Sequence, residues 1–213
     1  MAQKIAVIDY GMGNLRSVSK AVEHVAGAAE VRVTDDPKYI AAADRVVFPG
    51  QGAARDCMAA IGEHHLNQAV LHAATSKPFL GICMGLQVLM RHSEENGGTR
   101  LLGLFAGEVR RFDGLAVGDN GLRLKIPHMG WSPVRQVVAH PLWAGIADDS
   151  RFYFVHSYRV VPEDVSLIAA TTDYGVRFTA AIARDNLFAT QFHPEKSADV
   201  GLQLLENFVN WTL

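Results

Sequence analysis

The chain has 213 residues, 49% of them hydrophobic and 20% charged, with a formal net charge of −2 from 20 basic and 22 acidic side chains. That length and composition suit one globular domain over residues 1–213, and the absence of a basic cluster argues against a nucleic-acid partner. The apolar stretches are too short to span a membrane, the first residues read as a strand so that no signal peptide or anchor is expected, and two cysteines without a C-x-x-C pair lead us to expect a reducing, cytoplasmic setting.

In chain order, Lys4-Ile5-Ala6-Val7-Ile8-Asp9 is an apolar run that ends in the Gly-rich turn Tyr10–Asn14. A helical pattern follows, with Leu15, Val18, Val22 and Val25 on one face. Strands are expected at Glu30–Val33 and Asp44–Phe48, helical material over 53–75, a buried strand at Pro78–Ile82 and a helix over 84–91. Strands alternating with helices predict an α/β fold with a mostly parallel central sheet covered on both faces. From about 106 to 192 the pattern changes to short β segments, Gly107–Arg111, Arg151–Val155, Leu167–Thr171, Phe178–Ala183 and Leu187–Gln191. Turn signals at Asp113-Gly114 and Asp185-Asn186 separate them and predict an antiparallel β extension. A last amphipathic helix is expected over about 198–211, with Leu202, Leu205, Phe208 and Val209 inward.

Gly81-Ile82-Cys83-Met84-Gly85 puts a cysteine between two glycines where a buried strand meets a helix. This is the pattern of a nucleophile elbow, a tight turn that exposes the reactive atom and tolerates little bulk at the glycines. A helix N-terminus beneath Cys83 would favour its thiolate and aim the Met84 N–H at a tetrahedral oxyanion. The same residues can also be read as a buried structural cysteine in a close-packed turn. Gln191-Phe192-His193-Pro194-Glu195-Lys196-Ser197, at the end of an expected strand, offers His193 as base and Glu195 as its orienting carboxylate. Read blandly, it is a strand exit with a helix cap. Phe48-Pro49-Gly50-Gln51-Gly52 ends another strand, where backbone N–H groups at Gly50 and Gln51 could complete an oxyanion hole. Cys57 reads as a small packing residue, and His64, His65 and His72 as ordinary residues of a helix. No metal-ligand spacing occurs, so neither metal nor cofactor is expected.

Together these three segments resemble, in order, the signatures of class I (triad) glutamine amidotransferases. The resemblance implies Cys83, His193 and Glu195 as the triad, a γ-glutamyl thioester on Cys83, and Gln87, Glu95, Ser157 and Tyr158 around the bound L-glutamine. Glu95 has a rival reading as a solvated charge at a helix end. Asp9–Ser17, Pro127–Trp131 and Tyr153–Tyr158 are similar to segments of the glutaminase subunits of imidazole glycerol phosphate synthases. That resemblance implies a role in histidine biosynthesis and a heterodimer with a (β/α)₈-barrel cyclase that receives the ammonia. Asn14, Gln51, Trp131 and Lys196 are then expected toward the partner face. The chain departs from the family pattern at Gln51, where a small apolar residue is common, and at Ser132, where Asn is usual. Other readings are a glutaminase for anthranilate, pyridoxal phosphate or GMP synthesis, or a partner-free γ-glutamyl hydrolase. A nucleotide-binding module, suggested by Gly11-Met12-Gly13, lacks the third glycine because Arg16 stands in its place.

Overall fold

The computed structural model describes residues 2–112, 121 and 123–213. The first half alternates β1 (Lys4–Ile8), α1 (Leu15–Val25), β2 (Glu30–Thr34), α2 (Pro37–Ala42), β3 (Arg45–Gly50), α3 (Ala54–Glu63), α4 (Asn67–Ser76) and β4 (Phe79–Cys83). A single turn of helix, α5 (Met84–Gln87), leads to β5 (Met90–Ser93), β6 (Thr99–Arg100) and β7 (Phe105–Arg111). Then come β8 (His128–Pro133), β9 (Arg135–Gln136), β10 (Arg151–His156), β11 (Tyr158–Pro162), β12 (Ile168–Asp173), β13 (Arg177–Arg184), β14 (Leu187–Thr190) and α6 (Ala198–Asn210).

The main sheet has 8 strands in the order β2-β1-β3-β4-β14-β13-β12-β9. From β2 to β14 all neighbours are parallel, and β13, β12 and β9 then continue antiparallel. The alternation of apolar side chains explains why both faces need cover. Ile5 and Val7 of β1, Leu80 and Ile82 of β4 and Phe188 of β14 join one core with Val18 and Val22 of α1 and Leu204 and Phe208 of α6. Ala6 and Ile8, Val46 and Phe48, and Phe79 point the other way, onto Ile40 of α2, Cys57 and Ile61 of α3 and Val70 of α4. Because the chain steps from β1 outward to β2 and then back to β3 on the other side, the loops after β1 and β3 lead to helices on opposite faces of the sheet. The crevice between such loops, at the carboxyl ends of the strands, is where open α/β sheets bind ligands.

The expected antiparallel extension is divided. Only part of it extends the main sheet; β10 pairs with β8, and β11, β7, β5 and β6 make a separate 4-stranded sheet. The last expected segment, β14, belongs to the parallel sheet, beside β4. The helix expected over 84–91 stops at Gln87. Beyond it the carbonyls of Val88, Leu89 and Met90 accept from Leu102, Phe105 and Gly103, and β5 pairs in parallel with β7. A short apolar run such as Leu86–Met90 fits a buried helix or strand equally well, and this distant partner decides it.

The helical stretch over 53–75 is broken at His64-His65. His65 adopts φ 56°, its N–H bonds the Gly62 carbonyl and the Leu66 N–H bonds that of Ile61, which together close a Schellman motif. Helix α2 was not anticipated, although Asp36-Pro37 carries its start signal: Asp36 Oδ1 accepts from the Lys38 N–H at 2.9 Å. In α6, Phe208 and Val209 face inward as expected, but Leu204 joins Leu205 in the core while Leu202 is half-buried. The Asp113-Gly114 turn lies outside the described residues, whereas Asp185-Asn186 does connect β13 to β14, with Asp185 at φ 49°.

Candidate active site

Strand β4 ends at Cys83, which sits at φ 56° and ψ −104°, a conformation costly for a residue with a side chain. The turn holds because the neighbouring glycine lets strands and helix close up: a Cβ at Gly85 would overlap the Phe48 carbonyl oxygen of β3. The elbow expected from the sequence is therefore present. The helix under it is a single turn, however, so little dipole acts on the thiol. The positive charge near the sulfur comes from His193.

His193 follows β14 and leads into a 3-10 turn over Pro194–Lys196. Its Nδ1 lies 2.9 Å from Glu195 Oε1, and both side chains are buried. Two bonds tie the turn to β10, His193 N–H to the Tyr153 carbonyl at 2.9 Å and Tyr153 N–H to Ser197 Oγ at 2.9 Å, and Ser197 Oγ donates within the turn to the His193 carbonyl at 2.6 Å. Burial opposes a charged imidazole here, but the Cys83 sulfur and then Glu195 favour it more strongly, and the His193 pKa rises to about 10. A thiolate–imidazolium pair held by a carboxylate is the charge pattern of an activated cysteine nucleophile.

A cavity of about 370 Å³ opens over this pair, lined by Cys83, Met84, His193, Gln51, Gly52, Gln87, Glu95, Ser157, Tyr158 and Lys196, with Pro127, Val155 and His156 closing the wall. Its floor is the β3–β4 register, which sets Gly50 beside Cys83. A Cβ at Gly50 would overlap the Tyr10 hydroxyl and approach Met84 Cβ to 2.8 Å, so only glycine lets the strand come this close to the elbow. The Gln51 carbonyl accepts from Cys57 Sγ at 3.3 Å, and the Tyr10 hydroxyl lies 3.9 Å from the same sulfur. Cys57 therefore does more than pack. Burial pushes its thiol up to about 11, so it stays protonated and able to donate.

Glu95 lines the cavity, and it also accepts from the Ala54 N–H at 2.7 Å, capping a helix whose own N-cap, Ala53, has no side chain to offer. Beyond the solvated charge that the sequence also allows, half-buried Glu95 thus has a definite backbone partner. Lys196, expected toward a partner, faces this cavity as well, 5.9 Å from the Tyr153 ring, which in turn stands edge-on to Trp131 at 6.1 Å. Trp131 is 47% exposed and Met129, two residues before it on β8, 62%. Asn14 caps α1 by accepting from the Ser17 N–H at 3.3 Å, and the adjoining Gly13 packs on the Gly50–Gln51 backbone. Gln191, which precedes His193 by two residues, is fully buried and places its amide nitrogen 3.6 Å from Cys83 Sγ.

The sequence matches the family described as glutamine amidotransferase class-I over residues 6–211. It is 63% identical over 210 residues to an imidazole glycerol phosphate synthase subunit HisH of Dechloromonas aromatica, covering 98% of this chain and 97% of that one. With the subunit of the same name from Aromatoleum aromaticum it shares 59% over 208 residues, covering 97% and 98%. The fold superimposes on the structure of PurLQS from Thermotoga maritima with a TM-score of 0.74 at 17% identity, covering 99% of both chains. This chain belongs to the class I glutamine amidotransferases.

Proposed function

We propose that the chain, as one domain over residues 1–213, is the glutaminase subunit of an imidazole glycerol phosphate synthase in the cytoplasm. The buried His193–Glu195 pair beside an elbow cysteine carries this reading. The Cys83 thiolate attacks the side-chain amide carbon of L-glutamine. Backbone N–H groups of Gly50, Gln51 and Met84 receive the oxyanion, and the His193 imidazolium gives its proton to the departing nitrogen, which leaves as ammonia. The γ-glutamyl thioester is then opened by water, whose proton His193 takes, and glutamate is released. Glu195 keeps the imidazole oriented and charged without itself moving a proton. Gln87, Glu95, Ser157 and Tyr158 surround the amino-acid end of the substrate, where an ammonium needs a carboxylate or carbonyl partner and a carboxylate needs hydroxyl or backbone donors.

The high identity to subunits of one named synthase supports the choice of acceptor. In this reading the ammonia passes to a (β/α)₈-barrel cyclase in a heterodimer, across the face that carries Trp131 and Lys196. Cys83→Ala is expected to abolish glutamine hydrolysis and leave the fold intact, measured by glutamate release and by circular dichroism. A glutamine-mimicking electrophile should modify Cys83 and spare the buried, protonated Cys57. Labelling of Cys57, or hydrolysis retained in the variant, would overturn the assignment.

A further inference from the structure

Behind the cavity runs a buried hydrogen-bond chain whose polarity can be read from one atom. The Tyr158 backbone carbonyl can only accept. His156 Nδ1 lies 2.7 Å from it and must therefore carry the proton. His156 Nε2 is then the acceptor facing His128 Nδ1 at 3.1 Å, so His128 is also protonated at Nδ1. Its Nε2, 2.9 Å from Ser132 Oγ, is left to accept the Ser132 hydroxyl proton.

On the other arm, the Gln87 amide nitrogen lies 3.3 Å from the same Tyr158 carbonyl and 3.0 Å from Gln191 Oε1. With its oxygen so occupied, Gln191 turns its own amide nitrogen to Cys83 Sγ at 3.6 Å. Both histidines are held neutral by burial, His156 down at about 3 and His128 at about 4, as this directed chain requires. The His128 ring is fixed between Phe154 and Tyr174, with centroids 4.9 and 4.0 Å away and interplanar angles of 22° and 24°.

We propose that Gln191 is a further catalytic residue, which donates its amide N–H to the Cys83 thiolate in an orientation dictated by the Tyr158 carbonyl through Gln87. His156, His128 and Ser132 are the positioning residues of the opposite arm. They fix the same carbonyl from the other side, with the Ser132 hydroxyl donating to His128 Nε2 at the far end of the arm. Gln191 touches the reacting sulfur, and it stabilises the thiolate before attack and again when the thioester is broken.

The proposal rests on Cys83 being the nucleophile, and the test separates the two. Gln191→Met keeps size and removes the donor, while Gln191→Glu keeps shape and faces the sulfur with acceptors. The pH profile of Cys83 alkylation by iodoacetamide, read peptide by peptide on the full chain, is expected to move to higher pH by about one to two pH units in Gln191→Met and further in Gln191→Glu. In complex with the cyclase, kcat should fall roughly 10- to 100-fold in Gln191→Met while KM changes little. A packing role alone would lower stability or raise KM and leave the alkylation profile where it was, which would overturn the proposal. On the unmodified chain, nitrogen-15 spectra of the imidazoles should show both His156 and His128 as Nδ1–H tautomers; an Nε2–H form of either would refute the polarity. Activity retained by Cys83→Ala would instead count against the nucleophile itself.

Discussion

At the scale of single residues, the site depends on two opposing influences on His193. Burial favours its neutral form, and the neighbouring sulfur and Glu195 favour the charged one; the charged form wins, and the pKa moves from 6.5 to about 10. A folded-state pKa above the unfolded one means that this group's stabilisation is complete below about pH 6.5 and is lost as pH rises through about 10. Since the Cys83 charge is the leading favourable cause, Cys83→Ala should bring the His193 titration down well below about 10, leaving Glu195 alone against burial. Imidazole resonances followed against pH in both proteins check this. An unchanged midpoint would mean that Glu195, and not the thiolate, holds the proton on the ring. The residues proposed as the triad stand out in the sequence because each lies in a local pattern that such chemistry demands. The roles of Gln191 and Glu95 stand out less. The amide of Gln191 is oriented by a carbonyl contributed by Tyr158, and the carboxylate of Glu95 caps a helix 41 positions earlier in the chain; neither relation leaves a local trace.

At the scale of elements, what could be read depended on whether the deciding partner was near in sequence. The parallel strands β1, β3 and β4 and the two outer helices α1 and α6 show their faces by period alone, and their positions match the expectation to within a few residues. The misread elements are those decided at a distance or by an unusual residue. β5 became a strand because β7 offered its edge, and the α3–α4 break was hidden because the left-handed position of the Schellman motif holds His65 where glycine is usual. His65 is exposed and makes no side-chain bond among the described residues, so no side-chain contact offsets the cost of its left-handed conformation. His65→Gly should therefore stabilise the protein by about 0.5–1 kcal/mol, the difference that glycine makes at such a helix end. Denaturant unfolding followed by circular dichroism would register it as a higher midpoint at constant slope. A lower midpoint would show that the greater freedom of glycine in the unfolded chain outweighs the relieved strain.

At the scale of the whole molecule, the question is how hydrolysis is coupled to use of the ammonia. A glutaminase that ran without an acceptor would waste its substrate, so the free chain is expected to be nearly inactive. The cavity and the exposed face are joined in a way that makes coupling physically reasonable. Trp131 stands against Tyr153, the Tyr153 backbone holds the His193 turn, and Lys196 of that turn lies over the Tyr153 ring and lines the cavity. Across the cavity, the strand at Gly50–Gly52 packs on Met12 and Gly13, and its Gln51 carbonyl is held by Cys57. A partner seated on Met129 and Trp131 would thus press on the wall that carries His193. If binding turns one peptide of the Gly50–Gly52 strand so that its N–H faces the substrate, the gain is that of one oxyanion donor, about 10²–10³ in rate. Gly52 at φ 102° already occupies a conformation that only glycine adopts readily, so such a rotation is feasible there. Three glutaminase assays are decisive: the chain alone, with the cyclase, and with cyclase plus its nucleotide ligand. Activity is expected to rise at each step, and Trp131→Ala should reduce the second and third rates by weakening the docking contact. Full activity in the chain alone would remove the need for any such coupling and favour a hydrolase that works without a partner.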